Sequence, residues 1–232
     1  MSRQKYLSCV YLEQGLNIYK DHLTHCCVPH SNGKGNVAIG SFEGDRLPWE
    51  LIQQAKQELI AQNQTEVDTP CKGCSNLKPG TWSDKRGLGH ITINDFYTCN
   101  LKCCYCFTQT ESGVEHMKLK RTHDTMALFQ DMVANNYLDR EAIINWGGGE
   151  VAIYRHFEPI ASLLVAKGYT QFVNTNALVY SPVIEEGLRQ GSMLVQISVD
   201  AGTPETYRQV KGVDAFEIVW QNLTRYARAG FV

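Results

Sequence analysis

The sequence predicts an α/β fold with a parallel sheet, on three observations. Beyond about residue 88, short apolar runs alternate with amphipathic segments in the order βαβαβαβα. Such alternation calls for helical crossovers between parallel strands. The 232-residue chain is 43% hydrophobic and 20% charged, ordinary globular usage for one large or two smaller domains. Residues suited to ligand chemistry fall just after successive expected strands, where the loops of parallel β/α folds converge.

Each element follows from its apolar pattern. Residues 90–96 (HITINDF) read as the first strand. The helix over 123–137 places Met126, Phe129, Val133 and Tyr137 on one face, with Leu128 and Met132 beside it. Residues 141–146 (EAIINW) form a short buried strand, and 154–167 a helix built on Phe157, Ile160 and Leu164. A strand over 169–174, a helix over 182–189 and a strand over 193–200 (MLVQISVD) follow. Residues 204–210 and 215–229 are helical, the second with Phe216, Val219, Leu223 and Tyr226 on one stripe. A fifth strand is expected from about residue 230, where the sequence stops. The first 87 residues read as irregular, with polar, Gly-rich stretches at 31–36 and 77–89. They carry one helix over 48–62, with Pro48 at its first position and Trp49, Ile52, Leu59 and Ile60 at helical spacing. The expected division is therefore an N-terminal segment, 1–87, and a core, 88–232.

Several function classes are excluded early. The formal net charge is −2 and there is no basic run, so a nucleic-acid partner is not expected. No apolar run approaches the roughly 18 residues of a membrane span, and residues 1–15 show no apolar region of a secretion signal. Neither a phosphate-binding P-loop nor a G-x-S-x-G elbow is present.

The nine cysteines are the anomaly: Cys9, Cys26, Cys27, Cys71, Cys74, Cys99, Cys103, Cys104 and Cys106. The count is odd and four fall within eight residues. Clustered thiols in a chain without an export signal suit metal or redox chemistry better than disulfides. Cys99, Cys103 and Cys106 give C-x3-C-x2-C just past the first strand. Three thiolates in one short loop can wrap a compact thiophilic centre and leave a coordination position open. Reduced thiols or a zinc site are the plain alternatives. Cys71-Lys-Gly-Cys74 is a two-ligand knuckle for zinc or iron. Cys26 or Cys27 can supply a third ligand, and Cys9 or His25 a fourth.

Further signals follow the later strands. Trp146-Gly147-Gly148-Gly149-Glu150 follows the second strand, and its glycines allow the backbone to approach a ligand closely. Asn174-Thr175-Asn176 ends the third strand, and Ser198-Val199-Asp200 the fourth. Taken singly, each also reads as a turn or a cap.

The cysteine loop, with Tyr105 as the apolar or aromatic residue before its last cysteine, resembles the signature of the radical S-adenosylmethionine (SAM) superfamily. The resemblance extends over roughly 88–232. It implies a partial TIM-type (β/α)6 barrel, of which about four βα units are present, so the sequence is expected to be a fragment of a longer protein. It implies a 4Fe–4S cluster on Cys99, Cys103 and Cys106, with SAM on the fourth iron. Cys104 would point away. Gly148, Gly149 and Glu150 resemble the family's GGE motif at the SAM amino group. Asn176 would face the active site, Ser198 would lie near the SAM ribose or carboxylate, and Tyr105 would belong to the cofactor-binding set. Asp200 could face substrate. Arg208 and Lys211 fall where some members place a basic residue against the SAM carboxylate, but surface solvation is the expected role of each. No catalytic residue beyond the cluster is assigned.

The implied activity is reductive cleavage of SAM to a 5′-deoxyadenosyl radical that abstracts hydrogen from a small-molecule or peptide substrate. It requires a reductase or flavodoxin-like electron donor and suits a cytoplasmic, low-oxygen setting. The N-terminal cysteines would add a second iron–sulfur cluster or a zinc ion. The rival readings are an iron–sulfur electron-transfer protein without radical chemistry and a zinc-stabilised binding module.

Overall fold

The computed structural model describes residues 5–26, 37–65, 68–82 and 87–232. They form two compact units, Met1–Thr92 with Thr122–Ala142, and Ile93–Arg121 with Ile143–Val232.

The first unit opens with β1 (Tyr6–Ser8), α1 (Val10–Gln14), β2 (Gly15–Ile18), β3 (His22–Thr24), β4 (Ala38–Ser41), α2 (Trp49–Thr65) and β5 (Lys78–Gly80). The expectation of an irregular segment with one helix is thereby corrected. β2, β3 and β4 pair antiparallel, and β1 pairs antiparallel with β5. These strands are three or four residues long, too short to display an alternating pattern, and all four residues of β2 are buried. The expected helix is present and runs to Thr65. From its last turn, Gln64 donates to the Leu7 carbonyl (2.9 Å) and accepts from the Leu7 amide (2.8 Å), satisfying both backbone groups of a short strand.

β6 (Leu88–Ile93) leads into the second unit, which holds the cysteine loop and α3 (Glu111–Lys118). The sequence reading had no helix at α3. The chain returns to the first unit for α4 (Thr125–Ala134) and the start of β7 (Leu138–Trp146). Asp124 caps α4 by accepting from the Met126 and Ala127 amides (2.9 and 3.2 Å). The buried stripe of α4 is Thr125, Leu128, Phe129 and Met132, rotated from the expected face on Met126, Val133 and Tyr137. His123, just before the cap, is buried and stacks on Phe42 at 4.9 Å between centroids.

The rest of β7 belongs to the second unit, followed by α5 (Phe157–Ala166), β8 (Thr170–Thr175), α6 (Pro182–Arg189), β9 (Met193–Ile197), α7 (Pro204–Lys211) and α8 (Phe216–Ala229). β7, β8 and β9 are neighbours in parallel register, Ile144 facing Gln171 and Val173 facing Val195. This is the expected α/β alternation. Its core buries Trp146, Phe157, Ile160, Leu164, Val173, Ile184 and Val219. The Trp146 indole donates to Gln171 Oε1 (3.0 Å), and the Gln171 amide donates to the Ala161 carbonyl (3.1 Å). The buried polar side chains of Trp146 and Gln171 are thus paired. No helix among the described residues is long and apolar enough to cross a membrane.

Candidate functional site

The carboxyl ends of four strands, β6 to β9, and the last turn of α7 meet in the second unit. They line an open cavity of about 200 Å³ bounded by Cys99, Cys103, Tyr105, Cys106, Gly148, Gly149, Glu150, Asn174, Thr175, Asn176, Ser198 and Lys211. Every cluster and SAM-site residue expected from the sequence therefore lines this one cavity. Cys104 is exposed and does not line the cavity.

Local backbone bonds shape the cysteine loop. The Cys106 amide donates to the Cys103 carbonyl (3.0 Å), closing a tight turn between two of the thiols. The Leu101 amide points at Cys99 Sγ (3.4 Å), and Cys106 Sγ lies 3.0 Å from Thr108 Oγ1. Two further amides dock the loop on the end of α7: Lys102 donates to the Lys211 carbonyl (3.1 Å) and Cys104 to that of Val210 (3.0 Å). These last carbonyls of a helix otherwise lack partners. Burial pushes the Cys99 thiol up, so its thiolate form needs a nearby cation or metal. Three unbridged thiols on one open cavity, one already met by an amide donor, fit a three-thiolate cluster with an uncovered metal.

The glycines serve a purpose the sequence reading did not identify. Gly149 and Glu150 donate through their amides to the carbonyls of Phe96 and Thr98 (both 2.9 Å). A Cβ on Gly148, whose φ is +93°, would sit 2.1 Å from the Phe96 oxygen, and one on Gly149 would sit 2.2 Å from that of Thr98. The close approach is to the chain's own segment leading into Cys99. Gly148→Ala is accordingly expected to destabilise the protein by about 3 kcal/mol and to lower cluster incorporation. Thermal melting and iron content measure the two, and a variant with wild-type values on both would contradict this account of the glycine.

Glu150 is 2% exposed. Its Oε1 accepts from Thr175 Oγ1 (2.6 Å) and the Ala152 amide (3.1 Å), and its Oε2 accepts from the Asn176 amide (2.7 Å). Burial pushes its carboxyl up, against the pull of these three donors. The Asn176 side chain donates to Asn100 Oδ1 (2.8 Å) and lies 3.7 Å from Cys99 Sγ. Ser198 enters through its amide, which donates to the Thr175 carbonyl (3.1 Å).

Lys211 overturns the expectation of surface solvation. It is 1% exposed, lies on the cavity wall, and donates to the Tyr105 hydroxyl (2.8 Å) and to the Asp200 carboxylate. Tyr105 also donates to Asp200. The Lys211 ammonium and the Tyr105 hydroxyl hold the Asp200 carboxyl below the usual range. Arg208, one turn earlier, is exposed as expected. Asn100 and Thr108 were missed, and Thr175 was named only within its motif, with no role of its own. Their residue types carry no signal until the strands bring them to Glu150, Asn176 and Cys106.

In the first unit, Cys9, Cys26, Cys71 and Cys74 line a separate pocket with His25. Cys27 lies outside the described residues.

Residues 93–232 match the Radical SAM superfamily, and the chain belongs to that family. Among relatives, it is 26% identical over 148 residues to a probable GTP 3′,8-cyclase of Saccharolobus islandicus (strain Y.N.15.51 / Yellowstone #2), covering 63% of this chain and 46% of that protein. It is 28% identical over 138 residues to the mycofactocin maturase MftC of Mycobacterium ulcerans (strain Agy99), covering 58% and 35%. The chain thus spans less than half the length of these relatives. Among solved structures, native anSMEcpe with bound AdoMet overlaps 62% of this chain and 42% of its own, with a TM-score of 0.46 and 20% identity. Streptococcus suis SuiB bound to precursor peptide SuiA overlaps 80% and 37%, with a TM-score of 0.49 and 16% identity.

Proposed function

We propose that this chain is the SAM-cleaving part of a radical enzyme, holding a 4Fe–4S cluster on Cys99, Cys103 and Cys106. The observation that carries the reading is the convergence of these three thiols with Gly148–Glu150, Asn176 and Ser198 on one cavity. When bound, cluster and SAM supply one-electron cleavage of a carbon–sulfur bond and a 5′-deoxyadenosyl radical that takes hydrogen from substrate. The protein's part is positioning. Glu150 holds Thr175 and the Asn176 backbone in place, the Asn176 amide steadies the Cys99 side of the loop, and exposed carbonyls near Gly148 can accept from the SAM ammonium. Ser198 supplies a hydroxyl for its ribose or carboxylate. Tyr105, pinned by Lys211 and Asp200, forms the opposite wall.

A reductase or flavodoxin-like protein is the proposed electron donor, in a cytoplasmic, low-oxygen setting. The substrate is a small molecule or a peptide; the likeness to a probable GTP 3′,8-cyclase supports the first. The thiols of the N-terminal unit are proposed to hold a second metal centre, iron–sulfur or zinc.

The test is anaerobic reconstitution with iron and sulfide, then electron paramagnetic resonance with and without SAM. We expect a cluster signal that SAM perturbs, and 5′-deoxyadenosine after reduction. Cys99→Ala, Cys103→Ala or Cys106→Ala should abolish both. A signal indifferent to SAM, with no 5′-deoxyadenosine, would refute the reading.

A further inference from the structure

We propose that the second metal centre is an iron–sulfur cluster held by four thiolates, Cys9, Cys26, Cys71 and Cys74. This rests on the N-terminal unit holding a metal and not on radical chemistry at the Cys99 loop.

Three separate chain segments deliver these thiols to one pocket. Cys9 precedes α1, Cys26 follows β3, and Cys71 and Cys74 lie between α2 and β5. None is in a disulfide, and Cys9 and Cys71 are buried within an apolar cluster of Leu12, Val37 and Leu59. His25 stands on the same wall, 2% exposed, with its Nε2 lacking a hydrogen-bond partner. A buried imidazole nitrogen left unpaired beside four thiols marks a place where a further polar group belongs.

The local geometry repeats that of the Cys99 loop, whose cluster chemistry family membership supports. The Cys74 amide donates to the Cys71 carbonyl at 3.0 Å, as the Cys106 amide does to Cys103 at 3.0 Å. The Leu12 amide donates to Cys9 Sγ at 3.4 Å, as the Leu101 amide does to Cys99 Sγ at 3.4 Å. Amide donors to thiolate sulfur are the protein's means of stabilising a cluster's negative charge. Four thiolates would cover every metal of such a cluster, so this site, unlike the three-thiol loop, would present no open position to substrate.

The experiment uses the full chain carrying Cys99→Ala, Cys103→Ala and Cys106→Ala together, reconstituted anaerobically with iron and sulfide. It should retain about four iron and four sulfide per chain, and the unmodified protein about eight of each. Adding Cys71→Ala and Cys74→Ala should remove the remainder, whereas adding His25→Ala should leave it. Circular dichroism of each variant reports folding. Stoichiometric zinc in place of iron, a folded three-site variant without metal, or iron lost with His25→Ala in a folded chain would overturn the assignment. If the three-site variant does not fold, Cys71→Ala/Cys74→Ala alone decides. It should lose about half of the wild-type iron, and unchanged iron would overturn the proposal. Loss of 5′-deoxyadenosine formation bears only on the Cys99 site, so the two readings fail separately.

Discussion

Glu150→Ala is expected to destabilise the protein by about 3–4 kcal/mol and to abolish the SAM-induced change in the cluster signal. The carboxylate accepts from three donors, and two of its partners, Thr175 and Asn176, are themselves buried. Alanine leaves the Asn176 amide and the Thr175 hydroxyl unsatisfied away from water. It also frees the segment that sets Asn176 against Cys99. Glu150→Gln should lose less, because one oxygen still accepts while the amide meets at least one donor badly. Burial raises this carboxyl, so the folded state takes up a proton at higher pH than the unfolded state does. The stability of wild type relative to Glu150→Gln should therefore rise as pH falls through the raised folded pKa. It should level off below the unfolded value of about 4.3. Denaturant titrations across that range measure both effects. Equal stability of wild type and Glu150→Ala, with the SAM response intact, would remove Glu150 from its positioning role.

The second unit was legible because its elements are long enough to show a period. Residues 182–189 were read as a helix, and α6 spans Pro182–Arg189. The N-terminal unit was legible only in its helix α2. Its strands are as short as Tyr6–Ser8 and His22–Thr24, and the first of them pairs with Lys78–Gly80, far along the sequence. Site residues divide the same way. The cysteines, Glu150 and Asn176 announce themselves by type and spacing. Lys211 does not, since it stands with Arg208 in the last turn of α7, where cations ordinarily face water and favour the helix dipole. Only the docking of the cysteine loop on that helix end separates the buried lysine from the exposed arginine. Thr175 lies between the two asparagines of a recognised motif, yet its strand places its hydroxyl on Glu150 rather than on a ligand.

Asp95→Ala should destabilise the protein by about 3–5 kcal/mol, the usual cost of breaking a buried ion pair from one side. Asp95 lies just past β6 and offered no sequence signal beyond a polar residue after an apolar run. Its side chain is fully buried, 3.1 Å from Arg121 Nε, and accepts from the Tyr154 hydroxyl at 2.9 Å. Arg121 also donates to the Asp95 carbonyl (3.0 Å) and lies 5.3 Å from the Tyr154 ring centroid. Tyr154 in turn stacks on Phe96 at 4.4 Å. The network thus anchors the segment whose Phe96 and Thr98 carbonyls hold Gly149 and Glu150, and which ends at Cys99. Losing Asp95 strands the Arg121 guanidinium, 21% exposed, without its counter-ion. Arg121→Met in the Asp95→Ala background should therefore cost less than the sum of the single substitutions. Cluster content should fall with stability in Asp95→Ala and recover in part in the double variant. Urea titrations and iron counts on the four proteins measure this. A change in Asp95→Ala within about 0.5 kcal/mol of wild type would show that the loop is held by its backbone bonds alone, without the ion pair beneath it.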